Sequence, residues 1–270
     1  MSAGFEVPAL DFDGDVKACC ARLYDSEAVR WLLDGELHPG GERLTLRLAQ
    51  LAGITRGTRV LDVACGTGTT VRLLARECAA ATVGVDLGVQ AIERARREAR
   101  ADGLAERARF VHGDAEALPL PDASFDVALS ECSLCTFPDK PRALAELARV
   151  VRPGGIAAIA DVTADVAALP DELRTAAARV ACVADACPVE EHLAMLRAAG
   201  WAPVAVERCG AELTAMIDRV EARLRVARML VAPGDQRDRV REAITLARLA
   251  RGEVARGTLG YVLLTARRAG

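Results

Sequence analysis

The sequence predicts an α/β protein built on a doubly wound, mostly parallel sheet. Three observations carry this expectation. Short runs of continuous apolar character alternate with segments of helical period, the pattern of strands buried on both faces. A glycine turn, Cys65-Gly-Thr-Gly68, sits where the first run meets the first helical segment. A chain of 270 residues, 51% hydrophobic, suits one large domain or one domain with an added lobe.

The elements follow in order. Residues 28–52 read as helical, interrupted at His38-Pro-Gly-Gly41 by residues that break the helical pattern. Residues 58–64 (TRVLDVA) form a short apolar strand that enters the glycine turn, and 70–79 continue as a helix. A buried strand at 81–86 (ATVGVD), an Arg/Glu-rich helix at 90–102 and strands at 108–112 and 125–130 (FDVALS) come next. A helix at 141–150 is expected to end in the turn Arg152-Pro-Gly-Gly155, ahead of a strand at 156–162. Beyond that the pattern loosens: helices at 170–184 and 189–199, a strand at 202–207, and a helical stretch over 212–256 broken at Pro233-Gly234. Residues 260–266 (GYVLLTA) supply a closing strand. This divides the chain into a cap or lid (1–56), a central α/β core (57–165) and substrate-side helices with the final strands (166–270).

Charge and composition exclude several classes. A formal net charge of −3, with 35 Lys and Arg against 38 Asp and Glu, gives no drive toward nucleic acid. No apolar stretch is long enough to span a membrane, and the acidic N-terminus has no signal-peptide pattern. The expectation is a cytoplasmic protein with a small-molecule or metalloid substrate and neither nucleic acid nor membrane as partner. Nearly all positive charge is arginine, which reads as a compositional habit. Nine cysteines in such a chain point to metal or thiol chemistry rather than a disulfide framework, although some must be plain core residues.

The glycine turn carries the first functional expectation. Gly66 and Gly68 let backbone approach a ligand, and the helix that follows offers free N–H groups to it. Asp86, 20 positions beyond Gly66 at the end of the next strand, is placed to accept hydrogen bonds from ribose hydroxyls. Gly113-Asp114-Ala115, after the third strand, places a second Asp where an adenine amino group would lie. A nicotinamide-dinucleotide site would need a third glycine, and Gly66-Thr-Gly68-Thr-Thr lacks it.

In this order and spacing, VLDVACGTG, VGVD, GDAEALP, FDVALS and RPGG resemble the class I S-adenosylmethionine (SAM)-dependent methyltransferases over residues 57–165. The resemblance implies a seven-stranded sheet with 260–266 as its reversed strand, an N-terminal helical cap, and a helical insertion before the last strand. It also implies SAM as cofactor, held by Asp62, Ala64, Gly66, Thr67, Gly68, Asp86, Leu87, Asp114, Ala115 and Ser130.

The acceptor must be argued from the site. His38, His112 and His192 each read as structural. Glu131 and Asp161 stand at strand ends but have no partner that the sequence names. The cysteines are better placed. Cys132 and Cys135 follow the fourth strand, Cys182 and Cys187 follow the fifth, and Cys19 and Cys20 lie in a segment able to fold over the cofactor. Six cysteines are thus expected to line one cleft, whereas Cys65, Cys78 and Cys209 read as bystanders.

The segment from Ser130 through Cys132 to Lys140, Cys182 eight residues before Glu190-Glu191, and Ala18-Cys19-Cys20 resemble the arsenite methyltransferases. That resemblance implies trivalent arsenic as substrate, held by thiolates of Cys132, Cys182 and Cys19 or Cys20, with disulfide formation reversed by a thiol reductant. The tandem tyrosine of that family is absent, and 207–270 match nothing in it. Two other readings stay open: a small-molecule O-, N- or C-methyltransferase whose cysteines are incidental, and a thiol-rich metal sensor or store without catalysis.

Overall fold

A computed structural model describes residues 27–33, 35–174, 183 and 185–270. Seven strands make one sheet: Arg59–Val63 (β1), Ala81–Asp86 (β2), Ala108–His112 (β3), Phe125–Glu131 (β4), Val151–Ala164 (β5), Trp201–Arg208 (β6) and Leu259–Arg268 (β7). Their order is β3-β2-β1-β4-β5-β7-β6. The first five pair in parallel, and β7 runs antiparallel between β5 and β6. The doubly wound, seven-stranded expectation is met, with residues 260–266 in the reversed strand.

Eight α-helices accompany these strands among the described residues. They are Glu27–Leu32 (α1), Gly41–Leu51 (α2), Thr69–Glu77 (α3), Val89–Ala101 (α4), Lys140–Val150 (α5), Val189–Ala198 (α6), Gly210–Leu230 (α7) and Asp235–Arg256 (α8). The α7–α8 pair is the helical insertion before the last strand.

Strand alternation sorts the core into two faces. Val60, Val127, Leu129, Ala158 and Ala160 pack with Leu44 and Leu48 of α2 and Leu74 of α3. Leu61, Val63, Ala128, Ala157 and Ile159 pack on the opposite face with Leu144 and Leu147 of α5 and Leu196 of α6. Glu131 continues the Val127–Leu129 series, so the alternation turns it toward α2 and α3. Asp161 continues the Ala157–Ile159 series, toward α6. From β1 the chain runs to β2 and β3 on one side and then crosses to β4 on the other. The carboxyl ends of β1 and β4 therefore flank the topological switch point, where open α/β sheets bind ligands.

Two local expectations differ from the structure. Arg152-Pro-Gly-Gly155 is not a turn before a strand: β5 already begins at Val151, and the four residues bulge within it. There the register against β4 jumps from Phe125↔Val151 to Val127↔Ile156. A proline and two glycines signal a break in regular pairing, and a bulge satisfies that signal as well as a turn does. The helix expected over 170–184 is, in its described part, a single 3-10 turn at Asp171–Arg174. Residues 175–182 and 184 lie outside the described residues, as do 1–26 and 34, nearly half of the expected cap or lid.

Candidate active site

A cleft of about 290 Å³ opens at the carboxyl edge of the sheet. That is close to the lower end of ligand pockets, roughly 300 Å³. The segments after β1, β2, β3 and β4 line it, together with α4 and residues of the α1–α2 region.

Its first wall is the glycine turn. Gly66 has φ +52°, and a Cβ there would meet nothing nearer than Leu37 at 3.9 Å, so backbone faces open space. Gly68, at φ +75°, caps α3 in the left-handed region, where a Cβ would press to 2.3 Å from Phe110. Asp86 anchors the turn: its carboxylate accepts from the Gly66 N–H at 2.8 Å and the Gly88 N–H at 2.7 Å. Asp114 and Ala115 lie on the next wall, and Asp114 accepts from the Glu116 N–H at 2.9 Å. Two carboxylates and an open glycine backbone on one cleft fit the ribose, base and amino-acid portions of SAM.

Of the ten residues expected to hold the cofactor, Ala64, Gly66, Thr67, Asp86, Leu87, Asp114 and Ala115 line the cleft. Gly68, Asp62 and Ser130 stand behind that lining. Asp62 is 4% exposed, and burial, reinforced by the charges of Glu131 and Asp86, pushes its carboxyl well above the usual range. The Ser130 hydroxyl lies 2.6 Å from that of Ser133, which does reach the cleft.

The far wall is set by the end of β4. Cys132 lines it with φ +49°, and Ala64 beside the turn has φ +59°. Left-handed backbone at non-glycine residues is costly and tends to gather at functional sites. The Cys132 Sγ donates toward the Tyr261 hydroxyl at 3.5 Å.

The expected convergence of six cysteines is not what the described residues show. Cys135 is 2% exposed, and its backbone N–H donates to the Asp161 carboxylate at 3.0 Å. Cys187 is 8% exposed, with its Sγ 3.1 Å from His192 Nδ1, and burial pushes its thiol up to about 12. Neither lines the cleft. Sequence position brought both to the correct sheet edge, but their side chains pack against β5 and α6. Cys19, Cys20 and Cys182 lie outside the described residues. Cys65, Cys78 and Cys209 are free thiols off the lining, as expected.

Sequence reasoning missed one group. His38 and Glu131 both line the cleft, and His38 Nε2 lies 3.7 Å from Glu131 Oε2. The Glu131 side chain is 5% exposed. It accepts from Thr45 Oγ1 at 2.9 Å and from Thr70 Oγ1 at 2.7 Å. Thr45 Oγ1 is also 3.3 Å from His38 Nε2. Among the described residues no arginine or lysine pairs with this carboxylate. The available signal was strand alternation, which turns Glu131 toward α2 and α3.

Comparison with known proteins agrees with this geometry. Residues 61–159 match the family described as a methyltransferase domain. The 27-O-demethylrifamycin SV methyltransferase of Amycolatopsis mediterranei is 32% identical over 84% of this chain and 83% of its own length. Methyltransferase GfsG of Streptomyces halstedii is 35% identical over 67% of the chain, and the match spans 63% of GfsG. Arsenite methyltransferase of Halobacterium salinarum is 33% identical over 73% of the chain and 52% of its own length. The crystal structure of the [4+2]-cyclase SpnF superposes with a TM-score of 0.77 at 26% identity, covering 94% of this chain and 96% of that one. A geranyl diphosphate methyltransferase solved in complex with SAM shares the fold, with a TM-score of 0.70 at 19% identity over 97% of this chain and 94% of its own. With a relative this similar across most of both chains, and a glycine turn at the switch point, the chain belongs to the class I SAM-dependent methyltransferases and is an enzyme that uses SAM.

Proposed function

We propose that the protein transfers the SAM methyl group to a hydroxyl oxygen of a small organic acceptor. The observation that carries this reading is the His38–Glu131 pair on the cleft lining, an imidazole and a buried carboxylate at the edge of the sheet beyond the glycine turn. An oxygen acceptor needs its proton removed as it attacks, and imidazole is the side chain most often used for that task. The rifamycin methyltransferase, named for an O-methylation and similar over most of both chains, supports the same acceptor class.

Ala64, Gly66, Thr67, Asp86, Leu87, Asp114 and Ala115 would hold the cofactor, with Asp86 and Asp114 taking its ribose and base. When bound, SAM supplies an activated methyl on a sulfonium, so the protein's task is largely positioning. The protein does this by presenting an acceptor beside Glu131, Cys132 and Ser133 and by moving one proton.

A second reading keeps trivalent arsenic as the acceptor. Cys132 on the lining favours it, as does the similarity to an arsenite methyltransferase. The two readings separate in one assay. Labelled SAM is offered with 27-O-demethylrifamycin SV and other hydroxylated macrocycles, and separately with arsenite, to the native protein and to Cys132→Ser. Transfer to a hydroxyl acceptor that survives the substitution supports O-methylation. Transfer to arsenite alone, lost in Cys132→Ser, replaces it with the metalloid reading.

A further inference from the structure

We infer that His38 is the catalytic base of this methyl transfer and that Glu131 is its positioning carboxylate, held in place by Thr45 and Thr70. The inference rests on the O-methylation reading and goes beyond it in naming the group that takes the proton. Four residues from separate parts of the chain converge: His38 from the turn before α2, Thr45 from α2, Thr70 from α3 and Glu131 from the end of β4.

A carboxylate 5% exposed costs much to bury without compensation. Two threonine hydroxyls meet part of that cost, and neither carries charge. An imidazole that accepts a proton beside Glu131 completes the charge balance, with a carbonyl acceptor at one ring nitrogen and the carboxylate within ion-pair distance of the other. The carboxylate lies 3.7 Å from Nε2, and the Pro39 carbonyl lies 3.2 Å from Nδ1. The Pro39 carbonyl at Nδ1 fixes the ring and its tautomer, so the proton gained during transfer goes to Nε2, where the charge of Glu131 stabilises the imidazolium. His112 and His192 have no such place. His112 Nε2 is 3.1 Å from the Leu87 carbonyl on an exposed edge, and His192 is 2% exposed in α6, off the cleft.

Other charges near His38 leave this pairing intact. Glu36, two residues before it, is engaged by Arg219 of α7. Arg30 of α1 shares the cleft lining. On the opposite wall Glu98 pairs with Arg72 and Arg94, and Asp86 is held by backbone N–H groups. Cys132, next to Glu131, faces Tyr261.

The step balances as follows. The acceptor O–H bond breaks and its proton passes to His38, while an oxygen lone pair forms the new O–CH3 bond. The old bond from methyl carbon to sulfur breaks, and its electron pair stays on sulfur. The products are a methyl ether and S-adenosylhomocysteine, and the imidazolium returns its proton to water. No oxidant or reductant is needed.

The test uses the full chain, S-adenosylhomocysteine as calorimetric probe, and the hydroxylated acceptor turned over in the labelled-methyl assay. His38→Ala is expected to lower kcat by roughly 10²–10⁴-fold. Its S-adenosylhomocysteine affinity should stay within about 3-fold of native, the acid limb of the pH–kcat profile should vanish, and added imidazole should restore part of kcat. Glu131→Gln should lower kcat about 10-fold with the acceptor KM little changed. His38→Asn, closer in size and polarity, replaces His38→Ala if that variant loses its thermal transition. Retention of kcat within about 3-fold in the His38 variants, or no response to imidazole, overturns the assignment. If the native protein methylates no hydroxyl acceptor at all, O-methylation itself fails, a result distinct from an active enzyme indifferent to His38.

Discussion

Asp62 sits on β1 at 4% exposure, in reach of the charges of Glu131 and Asp86, and burial above all drives its carboxyl toward the neutral form. A carboxyl raised in the folded state contributes stability that is complete below its unfolded value, about 3.9, and is lost as pH rises toward the folded value. Replacing it by Asn removes that loss. Asp62→Asn is therefore expected to raise the melting temperature of the cofactor-free protein by a few degrees near neutral pH, with the gain shrinking to nothing below about pH 4. Thermal unfolding followed from pH 3.5 to 8 measures it, and a gain that is constant across that range would sink the idea. At this same scale the cysteines show the limit of reading a sequence. Position along a strand end placed Cys132 correctly on the cleft. It could not tell that Cys135 turns inward, its backbone N–H bonding Asp161, or that Cys187 faces His192, because both depend on what β5 and α6 bring from elsewhere. His38 was not linked to its partner for the converse reason. Its partner Glu131 is supported by Thr45 and Thr70, 86 and 61 residues away along the chain, and only the β1–β4 adjacency brings them together.

The elements themselves were more legible. β2 reads as a mostly apolar run and β3 as a short edge strand with Arg109 exposed, and both begin and end where the sequence expects them. Glycine and proline were ambiguous only where a break could be met in two ways, as in the bulge at Arg152-Pro-Gly-Gly155. The start of α5 is a clearer case. Asp139 is its N-cap, accepting from the Arg142 N–H at 3.0 Å, with Pro141 in the first turn. This helix closes the face of the sheet that holds Leu144 and Leu147, and the Leu144 carbonyl also receives the Trp201 indole N–H at 3.2 Å. Asp139→Ala removes a donor's partner without opening a cavity, so urea denaturation should show a loss of about 1 kcal/mol with an unchanged slope. Asp139→Asn and Asp139→Ser should recover most of it. If neither does, the cap is not what Asp139 contributes.

At the scale of the molecule, the cleft exists only in the folded chain. Its walls come from the segments after four strands, from α4 and from residues before α2, all far apart in sequence. A ligand spanning those walls binds the native state and finds nothing comparable in the unfolded one, so occupancy raises stability by mass action. At a free S-adenosylhomocysteine concentration 100-fold above its dissociation constant the gain is about 2.7 kcal/mol. For a chain of this size that should lift the melting temperature by roughly 5–10 °C. Asp86 decides whether the gain comes through this site. Its carboxylate holds the Gly66 and Gly88 N–H groups and faces the cleft, so Asp86→Ala lowers the melting temperature of the cofactor-free protein as well. The diagnostic quantity is the increment on adding ligand, which should fall to near zero in Asp86→Ala and stay near the native value in His38→Ala. That contrast divides the cleft into an end that binds the cofactor and an end that handles the acceptor's proton. An undiminished increment in Asp86→Ala would move the cofactor away from the β2 edge, and an abolished one in His38→Ala would make His38 part of the cofactor site.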